Sequence, residues 1–301
     1  MTNDNSFGGF NLFSCGGDVV INGAAFRADD IIYQGSDSRI FSAHSLQGGG
    51  DSAFVIKCYS CQRDGAVWKT AMREIEAGML LRNCGYFVRL LGYSVITDAA
   101  GVDYRIFLLF DRLRCLDEFS VNDPRGVLAL CRDICRALDG LRGKGLVHGD
   151  VKPSNIFYDG QKWLLGDLGS VCVSGETPVY GSEGYCPPES FRGEPCDIRS
   201  DIYSLGVVMY KLLSGGRLPF CALPCGEMTG EDVYRAIDRR LGGEEIPPLT
   251  GIDGDVNHLM LTMCRFDRRK RYSKPSDVSK AAERLLNVLS SQRHTLSTDK
   301  Y

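Results

Sequence analysis

The stretch His148-Gly149-Asp150-Val151-Lys152-Pro153-Ser154-Asn155 decides both the fold and the chemistry that this sequence predicts. Upstream of it, an apolar stripe with helical spacing follows Asp123-Pro124, a pair that is typical of a helix start. Downstream lie two short β-like runs, 156–158 and 163–165, and the second run ends in Asp167-Leu168-Gly169. Loops at strand ends therefore deliver two aspartates and one asparagine.

This set of side chains suits phosphoryl transfer. The reaction needs one carboxylate that orients a hydroxyl and accepts its proton, and it needs hard oxygen ligands for Mg²⁺ on nucleotide phosphates. Lys152, two residues past Asp150, can place a positive charge on the transferring group. Each short motif also occurs by chance, so the interpretation depends on the rest of the chain.

The composition is that of a globular protein. Of the 301 residues, 44% are hydrophobic and 24% are charged, which excludes wholesale disorder, collagen and coiled coil. Lysine and arginine number 35 against 38 acidic residues, so no global basic excess indicates a nucleic-acid partner. The 35 glycines are the one excess, and they indicate tight turns or close backbone approaches.

The cysteine content favours a reducing compartment. There are 13 cysteines without a repeated spacing, the N-terminus lacks the features of a secretory signal, and the apolar runs are too short to span a membrane. We therefore expect a cytoplasmic protein with free thiols and no membrane association. The pair Cys58 and Cys61 has no second pair or nearby histidine to complete a zinc site, so partly buried thiols are the favoured interpretation.

The hydrophobic pattern differs between the first and second parts of the chain. Short β-rich runs occur at 31–33, 40–41, 54–56, 87–91 and 106–110, and helical patterns at 69–82, 124–141, 202–213, 231–241, 256–263 and 275–289. The sequence predicts an N-terminal extension (1–29) with one strand near 19–21, a main domain (30–290) and a C-terminal tail (291–301). Within the main domain we expect a small antiparallel β lobe with one helix (30–112), a larger helical lobe (113–290), and a ligand cleft between them.

These motifs resemble the eukaryotic-like (Hanks-type) serine/threonine protein kinase family in its bacterial form, and they appear in order over residues 30–290. The resemblance implies a bilobal protein-kinase-like α+β fold and the use of ATP and Mg²⁺. It implies Asp150 as the catalytic base, Asn155 and Asp167 as metal ligands, and Lys152 as the lysine typical of Ser/Thr kinases.

The same resemblance implies the remaining nucleotide site. Phe54-Val55-Ile56-Lys57 is similar to the strand that carries the phosphate-binding lysine, and Glu74 fits its ion-pair partner, with Glu76 as a competitor. The residues implied for the phosphate loop, the adenine pocket and the hinge are Gly35, Ile40, Val55, Phe157, Asp111 and Leu113.

Later motifs resemble the segment that recognises protein substrates. Pro187-Pro188-Glu189 is similar to the end of the activation segment, and 181–185 to the substrate-docking turn, in which we expect Ser182 to contact Asp150 and Lys152. Asp201 is expected to hold the backbone of the catalytic loop, which the stretch 148–155 resembles, and Arg271 to pair with Glu189. The resemblance implies protein partners with Ser/Thr acceptors and leaves the oligomeric state open.

Three departures from the family pattern keep alternatives open. In the phosphate loop, 33–40, only Gly35 survives of the usual glycines and Asp37 adds a negative charge, so a catalytically impaired pseudokinase remains an alternative. Gly149 replaces the usual arginine that binds a phosphate on the activation loop, here the loop between Asp167 and Glu189. We therefore expect activity that does not depend on phosphorylation of this loop, in which Thr177, Tyr180 and Ser182 carry hydroxyls. His-Gly-Asp also occurs in aminoglycoside and choline kinases, which makes a small-molecule kinase the second alternative.

Overall fold

The computed structural model describes residues 14–47, 53–177 and 182–298. These residues fall into two compact units, the first within Met1–Asn83 and Val88–Leu113 and the second within Cys84–Phe87 and Arg114–Tyr301. The glycine triplet 48–50, Tyr180 and Gly181 lie outside the described residues.

The first unit is an antiparallel sheet with one helix. Its strands are β1 (Asp18–Ile21), β2 (Ala24–Gln34), β3 (Ser38–Ser45), β4 (Phe54–Gln62), β5 (Leu90–Thr97) and β6 (Asp103–Asp111), and the helix α1 (Ala66–Leu81) follows β4. The order across the sheet is β1-β2-β3-β4-β6-β5. The strand expected near residue 19 is present as β1, and residues 18–29 therefore belong to the sheet; the division of the chain into domains stays a prediction.

Alternation along the strands gives this sheet two apolar faces. On one face the buried side chains pack with those of β1 and β2: Val19, Ile21, Phe26, Ala28, Phe41, Ala43, Ile56, Cys58, Phe107 and Leu109. On the other face, Tyr59, Ile106 and Leu108 pack against Ala71 and Ile75 of α1. Lys57 lies between Ile56 and Cys58 in β4, so its side chain points to the opposite face from theirs. Helix α1 covers this face.

The two edges of the sheet approach each other. The Asn22 side-chain amide donates a hydrogen bond to the Leu91 carbonyl oxygen at 3.3 Å. A Cβ on Gly92 would lie 2.4 Å from the Asn22 amide nitrogen, so only glycine permits this approach. β1 therefore lies against β5 without forming a strand ladder with it.

One predicted strand is wrong in its position. The run 87–91 was expected to be a strand, but β5 begins at Leu90. Phe87 instead forms a parallel bridge with Leu165 and belongs to the second unit. A short apolar run does not reveal which partner strand it will meet, because that partner lies far away in the sequence.

The second unit is mainly helical. Its helices are α2 (Pro124–Arg142), α3 (Pro188–Phe191), α4 (Ile198–Leu213), α5 (Gly230–Leu241), α6 (Gly254–Met263) and α7 (Pro275–Thr298). Short strands β7 (Arg114–Cys115), β9 (Ile156–Tyr158) and β10 (Trp163–Leu165) form one small sheet, and β8 (Leu146–Val147) pairs with β11 (Cys172–Val173). Single 3₁₀ turns occur at Leu116–Glu118, Pro153–Asn155, Leu168–Ser170, Cys225–Glu227 and Arg268–Lys270.

Helix α2 forms where the sequence predicts it. The Asp123 carboxylate accepts hydrogen bonds from the Arg125 and Gly126 amides, both at 3.0 Å, and Pro124 occupies the first helical position. The apolar stripe of α2 is fully buried, and it packs against α4 and α7. This core holds the short strands whose ends carry the polar loops.

Among the described helices, none is both long enough and apolar enough to cross a membrane.

Candidate active site

Three neighbours hold the Asp150 carboxylate. The Ser182 amide donates to Oδ1 at 3.0 Å, the Lys152 ammonium lies 2.7 Å from Oδ2, and the Asn155 amide nitrogen lies 3.3 Å from Oδ2. Asn155 also donates to the Asp150 carbonyl oxygen at 2.8 Å. The carboxylate is thereby fixed in orientation while its side chain stays 13% exposed.

Lys152 joins the catalytic loop to the segment that follows position 181. Its ammonium donates to the Ser182 hydroxyl at 2.9 Å while it pairs with Asp150. The expectation that Ser182 contacts both Asp150 and Lys152 is confirmed. A positive charge therefore lies between the carboxylate and a hydroxyl of the neighbouring segment.

Asp201 holds the backbone of the catalytic loop through its carboxylate. This buried carboxylate accepts hydrogen bonds from the His148 amide at 2.7 Å and the Gly149 amide at 2.9 Å. Burial raises the pKa of Asp201 to about 6, against the lowering effect of the hydrogen bonds from the His148 and Gly149 amides. Asp201 therefore contacts the backbone of the catalytic loop as expected.

His148 is a structural residue. It is fully buried, its Nδ1 accepts from the Asp150 amide at 3.3 Å, and its Nε2 lies 3.0 Å from the Gly166 carbonyl oxygen. This arrangement assigns the proton to Nε2, because the carbonyl can only accept. With both ring nitrogens engaged, His148 orients the loop and is not available as a base.

Gly149 has no room for a side chain. Its φ of +82° lies in the left-handed region, and a Cβ would be 2.9 Å from the Ser170 carbonyl oxygen. This backbone conformation therefore requires glycine at position 149, where the family usually has arginine. It brings the catalytic loop close to the segment after Asp167.

The two residues expected to hold a metal lie on adjacent segments. The Gly166 amide donates to the Asn155 carbonyl oxygen at 2.8 Å, which ties β10 to the catalytic loop just before Asp167. Because the Asn155 side-chain nitrogen faces Asp150, its amide oxygen is the atom that can face a cation. An amide oxygen together with a carboxylate fits Mg²⁺ that takes its other ligands from phosphates and water.

In the first unit, a buried ion pair joins β4 to α1. The Lys57 ammonium lies 2.9 Å from Glu74 Oε2, and the Tyr59 hydroxyl donates to the same oxygen at 2.5 Å. Glu76 is exposed, so the ion pair forms with Glu74 as the spacing predicts. The sequence reasoning missed Tyr59, although it lies two residues after Lys57 and therefore on the same face of β4.

The half-buried side chains of Ile40 and Val55 share the face of Lys57. Ile40 is the cross-strand partner of Lys57, and Val55 precedes Lys57 by two residues. The structure thus brings Ile40, Val55 and Lys57 together. Asp111 ends β6, and the adjoining Arg112 amide donates to the Ala53 carbonyl oxygen at 2.9 Å. Leu113 closes the first unit.

Phe157 lies in the second unit, half-buried in β9, where Cys115 and Leu164 are its strand partners.

The turn that carries Gly35 is short. The Gly35 amide donates to the Ser38 carbonyl oxygen at 3.0 Å, which closes the connection between β2 and β3. A Cβ on Gly35 would lie 2.9 Å from the Tyr33 ring, so that ring covers the turn. Asp37 is exposed in this turn. In a phosphate-binding loop, its negative charge would oppose the binding of phosphate.

A second buried ion pair holds the end of the activation segment. Arg271 donates to both oxygens of Glu189, at 2.6 and 2.8 Å, and the Ser200 hydroxyl donates to Oε1 at 2.9 Å. Burial opposes ionisation of Glu189, but these hydrogen bonds and the charge of Arg271 hold its pKa below the usual value. The pairing expected between Glu189 and Arg271 is present.

The Cys58 and Cys61 thiols belong to separate apolar clusters on opposite faces of the sheet, so they cannot ligate one metal ion. Burial raises the pKa of Cys58 to about 12 and that of Cys61 to about 11, which makes both thiols poor nucleophiles.

Comparison with known sequences places these features in a family. A family model for the protein kinase domain matches residues 26–287, well over half of the chain. The chain is 24% identical over 269 residues to serine/threonine-protein kinase PknB of Mycobacterium tuberculosis (strain ATCC 25177 / H37Ra), covering 84% of this chain and 41% of that protein. It is 38% identical over 203 residues to PknB of Mycolicibacterium smegmatis, covering 63% of this chain and 32% of that protein.

The chain thus spans less than half the length of these curated relatives. It is also 28% identical over 289 residues to salt tolerance receptor-like cytoplasmic kinase 1 of Oryza sativa subsp. japonica, covering 83% of this chain and 78% of that protein. The solved structure of the Cydia pomonella granulovirus kinase PK-1 matches with a TM-score of 0.67 and 20% identity, over 85% of this chain and 93% of that one. The predicted fold, an antiparallel β unit with one helix and a larger helical unit, is confirmed.

Proposed function

The chain belongs to the protein kinase family, and from this premise we propose that it transfers the terminal phosphoryl group of ATP, with Mg²⁺, to serine or threonine hydroxyls of proteins. One observation carries the proposal. The Lys152 ammonium lies 2.7 Å from Asp150 and 2.9 Å from the Ser182 hydroxyl. The catalytic carboxylate and residues 182–189, the substrate-docking segment, therefore share one cation.

The catalytic loop supplies the chemistry in this proposal. Asp150 orients the acceptor hydroxyl and takes its proton late, because little bond formation to the nucleophile precedes the transition state. Lys152 offsets the negative charge on the transferring group. Asn155 and Asp167 hold Mg²⁺, which supplies charge neutralisation on the phosphates when it is bound.

The first unit supplies nucleotide contacts. Lys57, held by Glu74 and by the neighbouring Tyr59, binds the α- and β-phosphates. The turn between β2 and β3, which carries Gly35, approaches the phosphates once the Tyr33 ring that covers it moves aside. Within this unit, Ile40 and Val55 contact the adenine ring, and the backbone at Asp111 and Leu113 recognises its edge.

We further propose that activity is independent of phosphorylation on the activation loop. The Gly175 amide donates to the Cys196 carbonyl oxygen at 2.8 Å, and the Cys196 amide donates to the Glu176 carbonyl oxygen at 2.9 Å. The Ser174 amide donates to the Gly145 carbonyl oxygen at 2.8 Å. These backbone bonds order the described part of the loop without a phosphate, and Gly149 carries no guanidinium that would bind one.

The test compares wild-type protein with Asp150→Asn in transfer of labelled phosphate to casein, to the protein itself, and to a panel of aminoglycosides and choline. We expect transfer to casein or to the protein itself only, and its loss in Asp150→Asn with ATP binding retained. Transfer to the small molecules alone would assign the chain to small-molecule kinases instead. The segment from Ser182 to Glu189, anchored to both Lys152 and Arg271, favours a protein acceptor.

The pseudokinase alternative rests on the phosphate loop, where Gly35 is the surviving glycine and Asp37 is exposed. Thermal-shift titration with ATP, with and without Mg²⁺, separates the two. A kinase shows stabilisation that increases with Mg²⁺ and weakens in Asp167→Asn. A pseudokinase that acts only as a scaffold shows no shift in any of these conditions, and one that binds nucleotide shows the shift but transfers no phosphate to casein or to itself.

A further inference from the structure

Arg240 on α5 contacts the backbone of the substrate-docking segment. Its Nη1 donates to the Cys186 carbonyl oxygen at 2.8 Å, and its Nη2 donates to the Glu183 carbonyl oxygen at 2.8 Å. The residue is only 2% exposed. One guanidinium thus spans the two ends of the stretch 183–186.

The electrostatic setting of Arg240 is unusual for a buried cation. Among the described residues, no carboxylate lies within 4.0 Å of its guanidinium nitrogens, and its third acceptor is the Tyr203 hydroxyl, 3.0 Å from Nη1. A buried charge without a counter-ion is costly unless its donors are satisfied by well-placed acceptors. The two carbonyl oxygens supply that compensation only when the segment has the observed conformation, so the guanidinium and the segment hold each other.

Arg240 completes a series of anchors along one segment. At its start, Ser182 is bound by Asp150 and Lys152. At its end, Glu189 is paired with Arg271, whose guanidinium carbon lies 4.5 Å from the centre of the Tyr203 ring. Tyr203 therefore links Arg240 to the buried ion pair, and the middle of the segment depends on Arg240.

We propose that Arg240 is a positioning residue for the protein acceptor: it holds residues 183–186 in the conformation against which the acceptor chain binds beside Asp150. This inference rests on the proposed function for its catalytic consequence. Arg240 touches neither Asp150 nor the residues assigned to the nucleotide, so its loss affects the acceptor more than ATP.

The test uses the full chain and four proteins: wild type, Arg240→Met, Arg240→Lys and the control Arg235→Met. Arg235 is an exposed arginine of the same helix that pairs with Glu231 at 2.6 Å. For each protein, KM and kcat are measured for casein and for ATP. Amide hydrogen exchange is followed in peptides from 182–189 and from α4 and α6.

In Arg240→Met we expect the KM for casein to rise roughly tenfold, equivalent to ~1.4 kcal/mol of acceptor binding. The KM for ATP changes much less, and exchange quickens in 182–189 while α4 and α6 stay protected. Arg240→Lys recovers part of both effects, because an ammonium can reach one carbonyl but does not span two. Arg235→Met behaves as wild type.

Unchanged exchange and an unchanged KM for casein in Arg240→Met would overturn the proposal. Loss of protection throughout the second unit, with equal effects on both substrates, would also overturn it and assign Arg240 to general stability. If wild-type protein phosphorylates no acceptor, the proposed function fails, and exchange in 182–189 still decides whether Arg240 holds this segment.

Discussion

The Ser170 carbonyl oxygen blocks the side-chain position of Gly149, because a Cβ added there would lie only 2.9 Å from that oxygen. Gly149 also has a φ of +82°, which residues with a Cβ rarely adopt. The position that carries arginine in most of the family is therefore closed to any side chain in this backbone.

Gly149→Ala is expected to lower the free energy of unfolding by roughly 1–3 kcal/mol, because left-handed strain adds to contact with a backbone atom that cannot move aside. Urea denaturation measures this loss. The matched control is Gly193→Ala, at φ +67° with nothing within 4 Å of the added Cβ. Equal losses in the two variants would show that the Ser170 contact contributes nothing.

The Ser182 hydroxyl is expected to contribute to transfer through Lys152. Ser182→Ala keeps the amide bond to Asp150 but removes the acceptor 2.9 Å from Lys152, and we expect kcat/KM for casein to fall roughly fivefold, equivalent to ~1 kcal/mol. Ser182→Thr retains the hydroxyl and serves as the control. A threonine variant as slow as the alanine variant would contradict this account.

The hydroxyls of Thr177 and Tyr180, which precede Ser182 in the sequence, are expected to be dispensable. The Thr177 hydroxyl makes one long hydrogen bond, to the Gly193 carbonyl oxygen at 3.4 Å. The double variant Thr177→Ala, Tyr180→Phe should phosphorylate casein at a rate close to that of wild type, measured on protein expressed with and without a co-expressed phosphatase. Abolished activity would refute independence from phosphorylation.

Tyr59 is expected to support the Lys57–Glu74 pair. Tyr59→Phe removes a hydrogen bond to a buried carboxylate, so the KM for ATP should rise by about five- to tenfold, equivalent to roughly 1–1.5 kcal/mol. The KM for casein should be unaffected. Lys57→Met provides the comparison, because it removes the phosphate contact itself. An unchanged KM for ATP in Tyr59→Phe would show that Tyr59 does not orient Glu74.

Asp201 is expected to make stability depend on pH in an unusual direction. Burial raises its pKa from 3.8 to about 6, so between these values the folded protein binds a proton that the unfolded chain does not. Its contribution to stability is therefore fully present below pH ~4 and is lost as the pH rises through 6, by about 3 kcal/mol at most.

The measurement is the difference in free energy of unfolding between wild type and Asp201→Asn at pH 4.5 and pH 7. The advantage of wild type over the variant should shrink as the pH rises. Glu189, whose lowered pKa acts with the opposite sign, titrates in both proteins and cancels in the difference. A difference that grows with pH would reverse the assignment for Asp201.

The sequence predicts most of the elements and the local contacts of the site, because these depend on short spacings. Asp123-Pro124 begins α2 as expected, and helical spacing selects Glu74 over Glu76. Ser182 follows from its place in a recognisable motif. Each of these inferences needs a few neighbouring residues and one known period.

Other features depend on partners that no local pattern reveals. Phe87 joins the second unit because its bridge partner is Leu165. Tyr59 reaches Glu74 only once β4 and α1 are packed together. Arg240 looks like any arginine near a helix end, and its carbonyl partners lie more than 50 residues away.

Asn22 has a consequence for solubility. An edge strand presents unpaired carbonyl and amide groups that can recruit a strand from another molecule. At Leu91 the acceptor is already taken by the Asn22 amide, and Gly92 lets the β1–β2 turn press against the same edge. The turn therefore blocks the addition of a strand from another molecule at the beginning of β5. Such pairing has to begin beyond the turn, near the exposed side chains of Tyr93 and Val95.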